Sequence, residues 1–157
     1  MRVNETIDPA LASSVTEAGP LILQAFAWDM APDASHWRYL AARAQEIADL
    51  GVTAIWLPPA YKGHDGINDV GYGVYDLYDL GEFDQRGSVP TKYGTKDEYL
   101  AAISALHEAG IAVCADIVLN HRMGADEPEI VRATPLTPQN RHEAIGEPET
   151  IEAWTTF

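Results

Sequence analysis

The segment Asp116-Ile117-Val118-Leu119-Asn120-His121 brings a carboxylate, an amide and an imidazole to the end of an apolar run. A carboxylate inside such a run is costly to bury without a partner, so Asp116 calls for an arginine or a hydroxyl beside it. Asn120 offers a carbonyl oxygen of the kind that hard cations such as Ca²⁺ take. His121 can donate to a substrate hydroxyl. A strand end capped by polar groups fits the same six residues. His121 is a poor candidate for a transition metal, because no second His or Cys stands at ligand spacing. His36, His64, His107 and His142 are scattered singly and read as surface residues.

A second concentration lies in residues 60–94. Tyr61, Tyr72, Tyr75, Tyr78 and Tyr93 alternate there with Asp69, Asp76 and Asp79. Aromatic faces beside carboxylates suit sugars, whose C–H faces pack on a ring while the hydroxyls take fixed hydrogen bonds. The same tyrosines could also simply fill a lid, since buried aromatics are common core residues. A third group, Gln24, Phe26 and Trp28, ends the run Leu21–Trp28.

The elements that must position these groups follow from hydrophobic pattern. Leu21–Trp28, Val52–Leu57 and Ile111–Leu119 are short apolar runs and read as buried strands. Between the first two, Ser35 stands as an N-cap; Trp37, Leu40, Ala41, Ala44, Ile47 and Ala48 recur at helical spacing, and Gly51 terminates the helix. Before the third strand, Thr95-Lys96-Asp97-Glu98 is a capping box; Leu100, Ile103 and Leu106 form an apolar face, and Gly110 ends the helix. Strands alternating with amphipathic helices give an α/β fold with a parallel sheet and both crossover helices on one side. Functional groups of such folds gather at the carboxyl ends of the strands, where all three groups above lie. Pattern alone fits a barrel segment and a doubly wound sheet equally. Residues 122–157 have weak periodicity and read as irregular, with a short strand at 150–157.

Composition narrows the function. With 10 Lys+Arg against 24 Asp+Glu, the net charge is −14. Such a charge repels phosphate backbones and anionic membranes, which argues against nucleic-acid and membrane partners. The lone Cys114 allows no internal disulfide and no cysteine metal cluster, which suits a reducing compartment. The first twenty residues lack the basic start and apolar core of a secretory signal, so a cytoplasmic location is expected.

Four motifs carry a resemblance. Leu57-Pro58-Pro59-Ala60-Tyr61-Lys62-Gly63, the run from Asp69 through Tyr72 to Phe83, Thr91–Lys96 and Asp116–His121 resemble bacterial α-amylases of glycoside hydrolase family 13. The likeness is strongest to the liquefying and cytoplasmic types. It implies a (β/α)₈ barrel enzyme that hydrolyses internal α-1,4-glucosidic bonds in starch or glycogen with retention of configuration. It implies that Tyr72 stacks on the sugar at the cleavage site and that His121 bonds a hydroxyl of that sugar. Asn120 would be a calcium ligand, and Asp116 would support the site arginine. Trp28 and Gln24 would line the donor side of the cleft. Related members form oligosaccharides of fixed length or transfer glucosyl units, and a non-catalytic glucan-binding role also fits.

The chain's 157 residues fall short of the about 250 of a whole barrel. The resemblance divides it into a leader at residues 1–20, expected to be disordered, three β/α units of the barrel at 21–121, and the start of an inserted B domain at 122–157. No motif resembles those that carry the family's nucleophile and acid/base, so both carboxylates are expected beyond Phe157 and the isolated chain is expected to be inactive. Its oligomeric state is left open. Three strands with two unpaired edges should leave the chain poorly soluble or loosely packed.

Overall fold

A computed structural model describes residues 19–156. The leader expected at 1–20 therefore lies outside the described residues but for its last two, as does Phe157.

Three strands, β1 (Ile22–Gln24), β2 (Ala54–Leu57) and β5 (Ala112–Ala115), form a parallel sheet in the order β1-β2-β5. The register places Ile55 opposite Leu23 and Val113. Helix α1 (His36–Asp49) connects the first two strands and α2 (Lys96–Glu108) precedes the third. In β2 the period of two separates Ile55 and Leu57, fully buried, from Trp56 on the opposite face. The helices pack on the Ile55 and Leu57 side and on each other. Trp37 and Leu40 of α1 meet Tyr99, Ala102 and Leu106 of α2, with the Trp37 and Tyr99 ring centroids 4.9 Å apart.

The helix ends follow from local chemistry. Thr95 Oγ1 accepts from the Glu98 N–H, and a Glu98 carboxylate oxygen accepts from the Thr95 N–H at 2.9 Å, completing the capping box. Gly51 and Gly110 stop the helices at positive φ, +86° and +79°, which a side chain would resist. Ser35 is the N-cap of α1, but its hydroxyl turns to Asp33 at 2.6 Å and makes no cap bond.

Several expectations need correction. The strands are shorter than their apolar runs, and β1 and β5 are not buried: Ile22 is 59% exposed and Leu23 37%. Among the described residues, helices cover one face of the sheet, and nothing pairs with the outer edges of β1 and β5. His36 is buried rather than on the surface, packed between Trp37 and Tyr93, and its Nε2 has no hydrogen-bond partner. Burial pushes its pKa down. Leu100 faces solvent, and Tyr99 takes its place in the core.

The stretch between β2 and α2 holds a short antiparallel pair, β3 (Lys62–Gly63) with β4 (Val74–Asp76), and a 3₁₀ turn at Gly66–Asn68. Residues 122–156 are also more ordered than expected. Strand β6 (Glu127–Ala133) pairs with β9 (Glu149–Thr156), and β7 (Leu136–Thr137) with β8 (Asn140–Ala144). Neither face of the β6–β9 ribbon is buried, so the sequence carries no alternating apolar pattern.

Candidate functional site

Tyr72 is placed by a tight bend. Oδ1 of Asp69 accepts from the backbone N–H groups of Gly71 at 2.7 Å and Gly73 at 3.2 Å. Gly71 has φ +98°, and a Cβ there would lie 2.7 Å from the Pro59 ring, so only glycine fits. The bend aims the Tyr72 side chain at the carboxyl end of the sheet. Its hydroxyl donates to Oδ2 of Asp116 at 2.8 Å, just past β5. The Trp56 indole N–H, from the open face of β2, donates to the same oxygen at 3.1 Å. The partner that a half-buried Asp116 requires is thus a tyrosine hydroxyl together with an indole. Burial, then the hydrogen bond to Asp116 and its charge, push the Tyr72 pKa from 10.0 up to about 12, so the hydroxyl stays a donor.

The ring of Trp28 lies parallel to that of Tyr72, with centroids 5.9 Å apart and planes 9° from parallel. Trp28 is 69% exposed, so the pair presents an open aromatic surface. An open cleft of about 410 Å³ runs along it, lined by Trp28, Tyr72, Asp65, Asn68, Asp69 and Met123. His121 bonds to the backbone of Tyr72. Its Nε2 lies 2.9 Å from the Tyr72 carbonyl oxygen, and its Nδ1 3.3 Å from Nδ2 of Asn120. The two contacts agree on one tautomer: Nε2 carries the proton and Nδ1 accepts from the amide. Asn120 therefore has its Oδ1 left for a cation or for water.

The structure brings together Trp28, Tyr72, Asp116 and His121, with Asn120 alongside. It does not join Gln24 to them; that side chain donates to the Phe26 carbonyl at 3.1 Å along its own chain segment. Trp56 was missed by the sequence reading, and its signal was its place between two buried β2 residues on the alternate face. The other tyrosines divide as a lid would. Tyr61, Tyr75 and Tyr93 are buried, and Tyr78 is 88% exposed.

The chemistry of the donor set limits what the site can hold. Ca²⁺ takes about six to eight oxygen ligands, usually with carboxylates among them. Among the described residues no three His, Cys, Asp or Glu side chains are grouped for a metal. One neutral amide oxygen, Oδ1 of Asn120, does not by itself fit calcium.

The model of the family described as alpha amylase, catalytic domain, matches residues 34–135. The chain belongs to the α-amylase family. An alpha-amylase of Geobacillus stearothermophilus is 52% identical over 136 residues, 87% of this chain and 25% of that protein. A glucan 1,4-alpha-maltohexaosidase of Bacillus sp. (strain 707) is 49% identical, over 87% of this chain and 26% of its own length. The cytoplasmic alpha-amylase of Escherichia coli (strain K12) is 49% identical, over 88% of this chain and 28% of its own length. In structure the chain resembles a truncated alternansucrase from Leuconostoc mesenteroides, with a TM-score of 0.73 and 28% identity over 86% of this chain and 13% of that one. The chain thus spans about a quarter of the length of the curated relatives it matches. Among the described residues no helix is long and apolar enough to cross a membrane.

Proposed function

We propose that this chain supplies the donor-side wall of the substrate cleft in a retaining α-amylase acting on internal α-1,4 bonds of starch, glycogen or maltooligosaccharides. The observation that carries this reading is the Trp28–Tyr72 aromatic surface, pinned by Asp116 and His121 at the carboxyl ends of the parallel strands. A glucosyl ring would pack its C–H face on Tyr72. A sugar hydroxyl reaching His121 would compete with the Tyr72 carbonyl for the Nε2 proton. Gln24, at the mouth of β1, would meet the cleft only by turning away from Phe26.

Residues 21–121 are then three β/α units of a (β/α)₈ barrel, and 122–157 the start of an inserted domain. The described sheet, with one covered face and two open edges, supports that reading. The likeness to a cytoplasmic α-amylase supports a cytoplasmic location.

Retaining hydrolysis needs two carboxyl groups about 5–5.5 Å apart, one as nucleophile and one as acid/base. Asp116 accepts from Tyr72 and Trp56 through Oδ2, which suits a support for the platform. A calcium role for Asn120 requires further oxygen donors, and among the described residues no group of His, Cys, Asp or Glu side chains supplies them. A maltohexaosidase matches this segment about as well as an α-amylase does, so the likeness alone does not separate internal hydrolysis from fixed product length.

The test is calorimetry of the 157-residue chain with maltoheptaose, run beside Tyr72→Ala and beside a reducing-sugar assay. Weak binding that disappears in Tyr72→Ala, with no hydrolysis, is the expected outcome. Turnover by the chain alone, or binding indifferent to Tyr72, refutes the reading.

A further inference from the structure

Lys62 is fully buried, yet it belongs to no feature of the sugar site. Its ammonium donates to the backbone carbonyls of Ser88 at 2.6 Å, Val89 at 2.7 Å and Phe83 at 3.3 Å, and faces the Asp79 carboxylate at 3.5 Å. Asp79, equally buried, accepts from the N–H groups of Gly81, Glu82 and Phe83 and from the Gln85 amide. Segment 79–89 has almost no regular structure, and these two side chains do the work that a sheet or helix ladder would otherwise do for its backbone polar groups. Three carbonyls and a carboxylate around one ammonium make every proton of Lys62 count, and they satisfy a charge that could not otherwise be buried. Burial pulls the ammonium pKa below the ordinary lysine value, against the opposing charges of Asp79 and Asp84.

The wrapped segment presses on the bend that carries Tyr72. A Cβ on Gly66 would sit 2.3 Å from the Arg86 carbonyl oxygen, so the two backbones meet with no room for a side chain. The Arg86 guanidinium lies 4.0 Å over the Tyr75 ring and pairs with Asp126 at 3.5 Å. The Tyr75 hydroxyl also donates to Asp126, at 2.8 Å. Position therefore passes from Lys62 through 83–89 to the 65–73 bend on one side, and to the approach to β6 on the other.

We propose that Lys62 is a positioning residue for the sugar platform, acting through segment 79–89 to fix the Gly66–Gly73 bend and with it the Tyr72 ring against Trp28. This deepens the glucan-cleft reading and rests on it for its functional consequence.

The test compares the full 157-residue chain with Lys62→Met, which keeps the aliphatic stem and removes the ammonium. Amide hydrogen exchange and the Trp28 indole resonance are read first, and maltoheptaose binding second. The expected result is that the Gly81, Glu82, Phe83, Gly71 and Gly73 amides exchange about tenfold or more faster, the loss of a charged buried donor being the cause. The Trp28 resonance shifts, α1 and α2 amides keep their protection, and glucan affinity drops. Asp79→Asn, which retains an acceptor for the three N–H groups, gives the same pattern at smaller amplitude and stands in if Lys62→Met does not fold. Unchanged exchange at 81–83 overturns the clamp. Faster exchange there with Gly71, Gly73 and Trp28 unmoved overturns the positioning role. If the parent chain binds no glucan while the exchange and Trp28 changes appear, the glucan reading fails and the positioning of Tyr72 stands.

Discussion

The contact between Tyr72 and Asp116 can be read directly through its titration. Tyr72 is expected to ionise at about 12 in the folded chain, against an ordinary value of 10.0. Two pKa units correspond to about 2.7 kcal/mol, an upper limit for what the neutral hydroxyl gains in place. Tyr72 and Asp116 are both only partly buried, and water screens the pair, so about 1–1.5 kcal/mol is the realistic share, in line with hydrogen bonds to charged groups. The folded value lies above the unfolded one. The stabilisation is therefore complete below about pH 10 and is lost as the pH climbs through about 12. The assay is NMR of ¹³Cζ-labelled tyrosine across this range, with Tyr72→Phe to assign the resonance. In Asp116→Asn the hydrogen-bonded charge is gone, and the Tyr72 midpoint should fall only part of the way from about 12, burial, the largest cause, holding it above 10. A parent Tyr72 that titrates at about 10 refutes the hydrogen bond. A midpoint that stays at about 12 in Asp116→Asn leaves the bond in place but refutes Asp116 as its source of charge.

Three further outcomes follow from other parts of the chain. Thr95→Ala removes the reciprocal cap of α2 and should cost about 1 kcal/mol, seen as faster exchange in the first turn of that helix with α1 unaffected. Calcium should bind the 157-residue chain no more tightly in calorimetry than it binds Asn120→Ala, and a chelator should leave the Trp28 and Tyr72 signals in place; tight binding lost in Asn120→Ala would show that the donor set is larger than one amide. Ile22 at 59% exposure, Ile117 at 62% and Leu119 at 79%, beside two unpaired strand edges, should drive association. Sedimentation is expected to show mass rising with concentration, and a monomer across the micromolar range would contradict this.

The parts of the fold legible in the sequence are those set by near neighbours. The capping box at Thr95, the glycine stops at Gly51 and Gly110 and the apolar stripe of α1 involve residues at most a few turns apart, and each stands where pattern puts it. Strand burial was not legible in the same way. An apolar run says that a strand can be covered on both faces, but how far Ile22 and Leu23 are covered depends on what packs there: among the described residues no helix covers the Ile22 face, and Leu23, on the helix side at the sheet edge, is covered only in part. His36 shows the reverse error: a single histidine carries no periodic signal, and only the meeting of α1 with the Tyr93 turn buries it.

The site divides along the same line, and the same division hides the role of Lys62. Asp116, Asn120 and His121 are adjacent in sequence and could be singled out by type. What fixes Tyr72 in place is contact across 44 residues to Asp116 and 49 to His121, which no spacing rule encodes. Asp69 could be found locally, because Asp-Val-Gly-Tyr-Gly has the short polar side chain and glycines of a turn that bonds its own backbone. Lysine is the residue least expected inside, so a lone Lys62 in a loop reads as solvated. Besides Asp79, its acceptors are backbone carbonyls up to 27 residues away, and carbonyls leave no mark on sequence whatever. A buried cation that serves backbone groups is therefore invisible to side-chain pattern by its nature, while its effect on the neighbouring bend can be measured by removing a single charge.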